Sequence, residues 1–224
     1  MDQEIDHDFQ MGETTDNSGL ASLFGDTGTD ATVDSYTFLG QTVTIPEIKI
    51  GIIVQARTTS SRFPNKVLAE YKGIPIISHV IRALIPLNLH IMVAIPDSHS
   101  NDPLANYLKE KVMCVEVYRS KWEHDVLSRF KDANQKNNFD VIIRICADCP
   151  LIKAEDVSFM LDKFMAEGRT RMVWGLGCWI FTKEMLLDVE RNSIHADDRE
   201  HCGFHYMSKS VDFDDDIKRL EKDG

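Results

Sequence analysis

"KIGIIVQARTTSSRFPNK" occupies residues 49–66. Its opening, "KIGIIV", is apolar and rich in β-branched residues, the composition of a strand buried on both faces. Its continuation, "QARTTSSRFPNK", carries six hydroxyl or amide side chains together with Arg57, Arg62 and Lys66. A core strand that runs straight into cations and hydrogen-bond donors sets a polar loop at a strand's carboxyl end. In open α/β sheets that edge is where ligands bind. Arginine offers planar, forked donors to phosphate oxygens, lysine a movable point charge, and hydroxyls and backbone N–H groups the remaining donors. The loop contains no glycine, so it is neither a GxxxxGK[ST] phosphate loop nor the GxGxxG turn of dinucleotide folds. By composition alone, polyphosphate binding and a solvated basic loop stand as equal alternatives.

Outward from this stretch, apolar runs alternate with helical patterns. Strands are expected at "HIMVAIP" (90–96), "CVEVY" (114–118), "DVIIRI" (140–145) and "CWIF" (178–181). Helical spacing through Ile77, Val80, Ile81 and Leu84 predicts a helix that Pro86 ends. "NDPLANYLKEK" has a proline in its first turn, "HDVLSRFKDANQKN" a candidate N-cap in Asp125, and "AEDVSFMLDKFMAEG" a terminating Gly168. "TKEMLLDVERN" and "FDDDIKRLEK" read as further helices. Near-continuous apolar strands separated by helices predict an α/β fold. It is a Rossmann-like, open, mostly parallel sheet with helices on both faces. The loops at 55–66 and 147–151 then share the functional edge.

Charge divides the chain. Residues 1–48 hold ten acids and no lysine or arginine, so the rest carries 26 of the 36 acids against all 25 bases. Ten of the eleven net negative charges therefore belong to an acidic N-terminal extension, 1–48, expected to be flexible, ahead of a globular domain, 49–224. The extension reads as a solvated tail or as a segment that binds a protein partner. Within it "SYTFLGQTVTIP" (35–46) is strand-like and is expected to pair onto the core or a partner chain. No basic stripe calls for nucleic acid, and no apolar run approaches the roughly 20 residues of a membrane helix. The start lacks the regions of a secretory signal. Five cysteines, an odd count, fit reduced thiols and a cytoplasmic setting.

"IIVQARTTSSRFPNKVLAEYKGIPIISHVI" resembles the opening of the cytidylyltransferases that activate acidic sugars, with the spore-coat polysaccharide (SpsF-like) and acylneuraminate branches nearest. Gln55-Ala56-Arg57, Ser61-Arg62-Phe63-Pro64, Lys66 and Gly73-Ile74-Pro75 fall in register with that pattern. Asn65 takes the place of the usual glycine, a position where a left-handed backbone suits asparagine. The resemblance implies a nucleotide-diphospho-sugar transferase fold whose first loop wraps a triphosphate through Arg57, Arg62 and Lys66, with Gln55, Ala56 and Ser61 beside them.

"RICADCPLI" (144–152) resembles the family's R-x-x-G-D-x-P-L-I, which makes Asp148 the implied Mg²⁺ ligand and Arg144 a nucleotide-side residue. Ala147 replaces the glycine, and Lys153 an acid that often follows. "YRSKWEHDVLSRF" resembles the family's R-G-x-x-x-D-V-L-x-R-Y, which implies nucleotide-side or wall positions for Arg119, Asp125 and Arg129; for Asp125 a helix N-cap is an equal reading. Gly177 and Trp179 replace acids of a G-x-D-x-E-x-F element. "DDREHCGFHY" resembles D-R-E-H-V-T-P-Y and puts Asp198, Arg199 and His201 on the substrate side. Asp212, in "SVDFDDDIKRLEK", is implied as a second metal ligand, or else is an acid at a helix start. The family's stretch between 164 and 175 is shortened here to "MAEGRTRMVW". That removes sugar-pocket and dimer contacts, so the sugar and a homodimer stay open.

The implied reaction is CTP plus a sugar acid giving CMP-sugar and pyrophosphate. Alternatives are another nucleotide or a phosphosugar on the same fold, or a catalytically impaired relative that binds a partner through 1–48. Cys146 and Cys149 form a CxxC, and His201, Cys202 and His205 lie in "HCGFH". Zinc is weighed against Cys146 packing as a small hydrophobe at a strand end. Redox chemistry is weighed lower still, because the CxxC does not open a helix.

Overall fold

The computed structural model describes residues 35–38, 41–44, 47–60, 62–168, 171–173 and 177–203. Ser61, Asp212 and the helix expected over 213–222 lie outside them. The chain divides into two compact units, Met1–Pro46 and Glu47–Gly224. In the first, β1 (Ser35–Phe38) and β2 (Gln41–Thr44) pair antiparallel, Ser35 opposite Thr44 and Phe38 opposite Gln41. The strand-like stretch at 35–46 thus pairs with itself.

The second unit opens with β3 (Ile50–Gln55), the buried strand expected at "KIGIIV". A short hairpin of β4 (Glu70–Tyr71) and β5 (Ile74–Pro75) leads into α1 (Ile76–Leu84). Then follow β6 (His90–Pro96), α2 (Asp102–Lys111), β7 (Glu116–Ser120), α3 (Val126–Asn137), β8 (Val141–Cys146) and α4 (Ala154–Glu167). The described part closes with β9 (Arg171–Val173), β10 (Cys178–Thr182), α5 (Lys183–Asn192) and α6 (Ala196–Glu200). The third strand starts two residues later than "CVEVY", because its register pairs Glu116 with Met92 and leaves Cys114 exposed. Nothing in the hydrophobic pattern marked β9 or the single-turn-scale α6.

The six strands run in the order β7-β6-β3-β8-β10-β9. β7, β6, β3 and β8 are mutually parallel, and β10 is antiparallel to both β8 and β9. Alternate residues of the strands feed two cores. Ile52, Val54, Val93, Ile143 and Ile145 pack with α1, α2 and α4 through Ile77, Leu84, Leu104, Leu108, Val157 and Phe164. Ile53, Met92, Ala94, Ile142 and Phe181 pack on the opposite face with Val126, Leu127, Phe130, Leu186 and Val189 of α3 and α5. A strand buried on both faces cannot alternate with polar residues, which is why these strands read as continuous apolar runs. At Gly51 a Cβ would meet the Phe139 ring at 2.3 Å, so only glycine lets that ring lie against β3.

The sheet order turns back on itself beside β3: β6 and β7 extend one way, β8 and β10 the other. Such a switch point separates the two loops that leave adjacent strand ends and opens a crevice between them. Gln55 and Cys146, the last residues of β3 and β8, lie opposite one another. Ala147 N–H donates to the Gln55 carbonyl at 3.0 Å, so both polar loops begin at that crevice.

Candidate active site

The first loop is drawn up by its own backbone. Ala56, buried, donates its N–H to Ala94 O at 3.2 Å, and Asn65 N–H donates to Thr58 O at 2.8 Å, which brings Asn65 back against Thr58. Asn65 adopts φ 58°, ψ 19°, the left-handed conformation that its short polar side chain tolerates. That turn starts a single 3-10 turn, Lys66–Leu68, whose Val67 is buried. Lys66 is thereby aimed across the switch point, where its Nζ forms an ion pair and hydrogen bond with Asp148 Oδ2. Both side chains stay about one-third exposed, at 32% and 33%.

Arg57 reaches a different partner. Its Nη2 donates to Glu200 Oε1 at 2.9 Å, and its Nη1 lies 3.5 Å from His124 Nδ1. Arg62 is exposed and forms no ion pair among the described residues. Thr58 N–H and Oγ1 both donate to the buried Asn101 Oδ1, at 2.8 and 3.0 Å, and the Thr58 hydroxyl also reaches Ser100 O at 2.8 Å. Glu123 accepts from the Thr59 hydroxyl and, at 2.9 Å, from Ser98 Oγ. These contacts bind the loop after β3 to the loops after β6 and β7.

Two arginines expected on the nucleotide side point inward. Arg129 is 1% exposed and donates Nε to Trp122 O at 3.0 Å and Nη2 to Glu123 O at 2.6 Å. Burial pulls its guanidinium down to about 10, and the carboxylates of Glu123 and Asp125 support the charge. Arg144 is 4% exposed, donates Nε to Gln55 Oε1 at 3.0 Å and stacks 5.0 Å from the Trp179 ring centroid. These contacts tie β8 to β3 and β10. Trp179 stands where the family pattern has an acid, and the guanidinium covers its face instead. Burial raises the Cys202 thiol to about 11.

Asp125 does cap α3, accepting from Ser128 N–H at 2.9 Å. The same carboxylate also holds Arg199, whose Nε and Nη2 approach Oδ2 at 2.9 and 2.6 Å. Asp198 is buried in α6, and His201, at the helix end, is exposed. Arg119 is shared by Asp97 and Asp102, each at 2.7 Å, and donates to Ser98 O at 3.1 Å. Of the residues expected from the sequence, the structure joins Lys66 with Asp148, Gln55 with Arg144, and Asp125 with Arg199. It sets Arg57 on Glu200, a residue that lay inside the recognised motif without an assigned role. Asn101, the cap residue that opens "NDPLANYLKEK", makes no side-chain capping bond; neither it nor Glu123 signalled a tie to the first loop, because those partners lie far away in the chain.

Among the described residues no group of three or more His, Cys, Asp or Glu side chains is placed to hold a metal ion; His205, one of the residues weighed for zinc, lies outside them. No helix is long and apolar enough to cross a membrane among those residues.

Residues 51–210 match the family model for cytidylyltransferases. The chain belongs to the cytidylyltransferase family. An uncharacterised protein of Methanocaldococcus jannaschii is 30% identical to this family member over 161 residues, covering 69% of this chain and 65% of that one. The 3-deoxy-manno-octulosonate cytidylyltransferase of Pseudoalteromonas translucida is 28% identical over 108 residues, covering 48% and 42%. The chain thus spans between 42% and 65% of the length of these two curated relatives. A solved cytidylyltransferase from Leptospira borgpetersenii superposes with a TM-score of 0.64 at 25% identity, over 72% of this chain and 71% of that one. A CMP:2-keto-3-deoxy-manno-octonic acid synthetase, solved with CTP, shares the fold at a TM-score of 0.55 and 14% identity, over 77% and 96%.

Proposed function

We propose that this cytidylyltransferase-family member transfers CMP from CTP to a sugar acid and releases pyrophosphate, serving surface polysaccharide or glycan biosynthesis. The observation that carries the reading is the Lys66–Asp148 pair, an ammonium from the first loop and a carboxylate from the second meeting at the switch point. Relatives named for 3-deoxy-manno-octulosonate support a sugar acid as acceptor. All five cysteines are free, which supports a cytoplasmic setting.

In this reading the sugar hydroxyl attacks the α-phosphorus in line, and the bond to the β-phosphate oxygen breaks. Arg57, Arg62 and Lys66 hold the β- and γ-phosphates and neutralise charge that grows on the departing pyrophosphate. Arg57 exchanges the Glu200 carboxylate for phosphate, and Lys66 exchanges Asp148. Gln55, Ala56, Ser61 and Arg119 line the nucleotide side, with Asp198, Arg199 and His201 toward the sugar. Arg129 and Arg144, together with Asp125, act from behind by bracing the loops. Magnesium fits the donor set: Asp148 offers a partly exposed carboxylate, a hard oxygen donor, and this ion takes one or two carboxylates plus substrate phosphates. When bound it supplies charge neutralisation at the phosphates; Asp148 and Asp212 would hold it. Most of the acceleration is positioning and electrostatics.

The test is pyrophosphate release by the full chain with CTP, UTP, GTP and ATP. Each is paired with 3-deoxy-manno-octulosonate, a sialic acid and a hexose 1-phosphate. Turnover with CTP and a sugar acid is expected. Preference for another nucleotide or for the phosphosugar moves the chain to a different transfer reaction. Silence with every pair, beside a stable protein complex that requires residues 1–48, replaces the enzyme with a binding protein.

A further inference from the structure

The CxxC pair has no role in the transfer reaction, yet the fold builds a place for it. Cys146 ends β8, and Cys149 N–H donates back to the Cys146 carbonyl at 3.2 Å, folding 146–149 into one tight turn. A turn closed this way keeps its end Cα atoms within about 7 Å, close to the roughly 4.4–6.8 Å that a disulfide spans. Both cysteines are half-buried, whereas Cys178 and Cys202 are buried. Gly177 provides the room: at φ +61° it faces the pair, and a Cβ there would stand 2.5 Å from Cys149 Sγ and 2.9 Å from Cys146 Cβ. Between the cysteines in the turn sits Asp148, whose Oδ1 is 4.0 Å from Cys149 Sγ and whose Oδ2 pairs with Lys66. A CxxC need not open a helix to be bridged; the turn alone supplies the approach.

We infer that Cys146 and Cys149 form a reversible dithiol–disulfide site, oxidised by a small peroxide, whose closure moves Asp148 off Lys66. One thiol sulfur attacks the peroxide O–O bond and becomes a sulfenic acid while water leaves. The second sulfur displaces the sulfenic hydroxyl, the S–S bond forms, and a second water leaves with the second thiol's proton. Two thiols lose two electrons and two protons, and one hydrogen peroxide becomes two waters. The bond fixes the two sulfurs about 2.05 Å apart and tightens the turn that carries Asp148. The consequence for nucleotide binding rests on the proposed role of Lys66 and Asp148; the disulfide itself does not.

The test uses the full chain with the exposed Cys114 replaced, Cys114→Ser, to prevent cross-linking between molecules. The reduced protein is treated with one equivalent of hydrogen peroxide, alkylated, digested and weighed. The peptide holding Cys146 and Cys149 is expected to lose two hydrogens and resist alkylation, and dithiothreitol restores it. Cys149→Ser is expected to leave a dimedone-reactive sulfenic acid at Cys146 and no cross-link. The oxidised protein is expected to bind Mg-CTP at least tenfold more weakly than the reduced one by thermal shift, with recovery on reduction. Two freely alkylated thiols after peroxide, a bridge to Cys178 or Cys202 instead, or equal Mg-CTP affinity in the bridged and reduced forms overturns the inference. Absence of Mg-CTP binding in the reduced protein strikes the proposed function, while the peptide mass still decides the disulfide.

Discussion

Lys66 and Asp148, 82 residues apart in the chain, share an ion pair where the loops after β3 and β8 meet. Neither side chain is deeply buried, so the pair adds little to stability, at most about 1 kcal/mol. Its worth is positional. It holds a cation and a carboxylate at the crevice in a charge-balanced state, which in the proposed reaction an incoming metal-nucleotide exchanges. Lys66→Ala and Asp148→Asn are each expected to lower pyrophosphate release about 100-fold or more while the melting temperature stays near that of the parent. Turnover close to the parent in either variant would remove the pair from the reaction.

Arg57 is held by Glu200 before any nucleotide arrives. If Arg57 is to grip a phosphate, Glu200 is its competitor. Glu200→Gln is therefore expected to tighten Mg-CTP binding by up to about fivefold, the yield of releasing one partly exposed ion pair. Calorimetric titration of both proteins measures this. A loss of affinity instead would make Glu200 a part of the nucleotide site.

Gly51 is a packing requirement rather than a turn. A methyl group there would enter the Phe139 ring. Gly51→Ala is expected to cost about 1–3 kcal/mol in chemical denaturation, the usual range for overpacking a core. The double variant with Phe139→Leu should recover part of that loss.

At the amino ends of the strands Glu116 gathers three partners. Burial works against its charge, but the Lys136 ammonium, the Asn137 amide and the His90 ring overcome this and hold its pKa at about 2, down from 4.5. A carboxylate with a depressed folded-state pKa stabilises the fold above its unfolded value and loses that contribution as pH falls through the folded one. The stability gap between the parent and Glu116→Gln should be full at pH 6 and shrink between about pH 4.5 and pH 2. Thermal melts across that range decide it; a gap unchanged down to pH 2 would mean the ion pairs contribute nothing.

What the sequence alone determined follows from local chemistry. Apolar runs such as 50–54 and 141–143 leave no polar face, so the buried parallel strands and the helices between them were legible. Asp125 as an N-cap and Asn65 at a left-handed turn were readable because both depend on neighbours within a few residues. The cations of the first loop were legible as chemistry and the acid of the second through its resemblance to a family motif, but not as partners.

Only the tertiary structure decided which charges meet. Arg129 and Arg144 look, in sequence, like Arg57 and Arg62; burial turned the first two into braces and left Arg62 in solvent. The Arg57–Glu200 contact spans 143 residues, and the Glu123 and Asn101 ties to the first loop cross three strand ends. Hydrophobic period and capping act over one turn of chain. Ion-pair partners are set by strand order, which brings β8 beside β3 and carries Asp148 to Lys66.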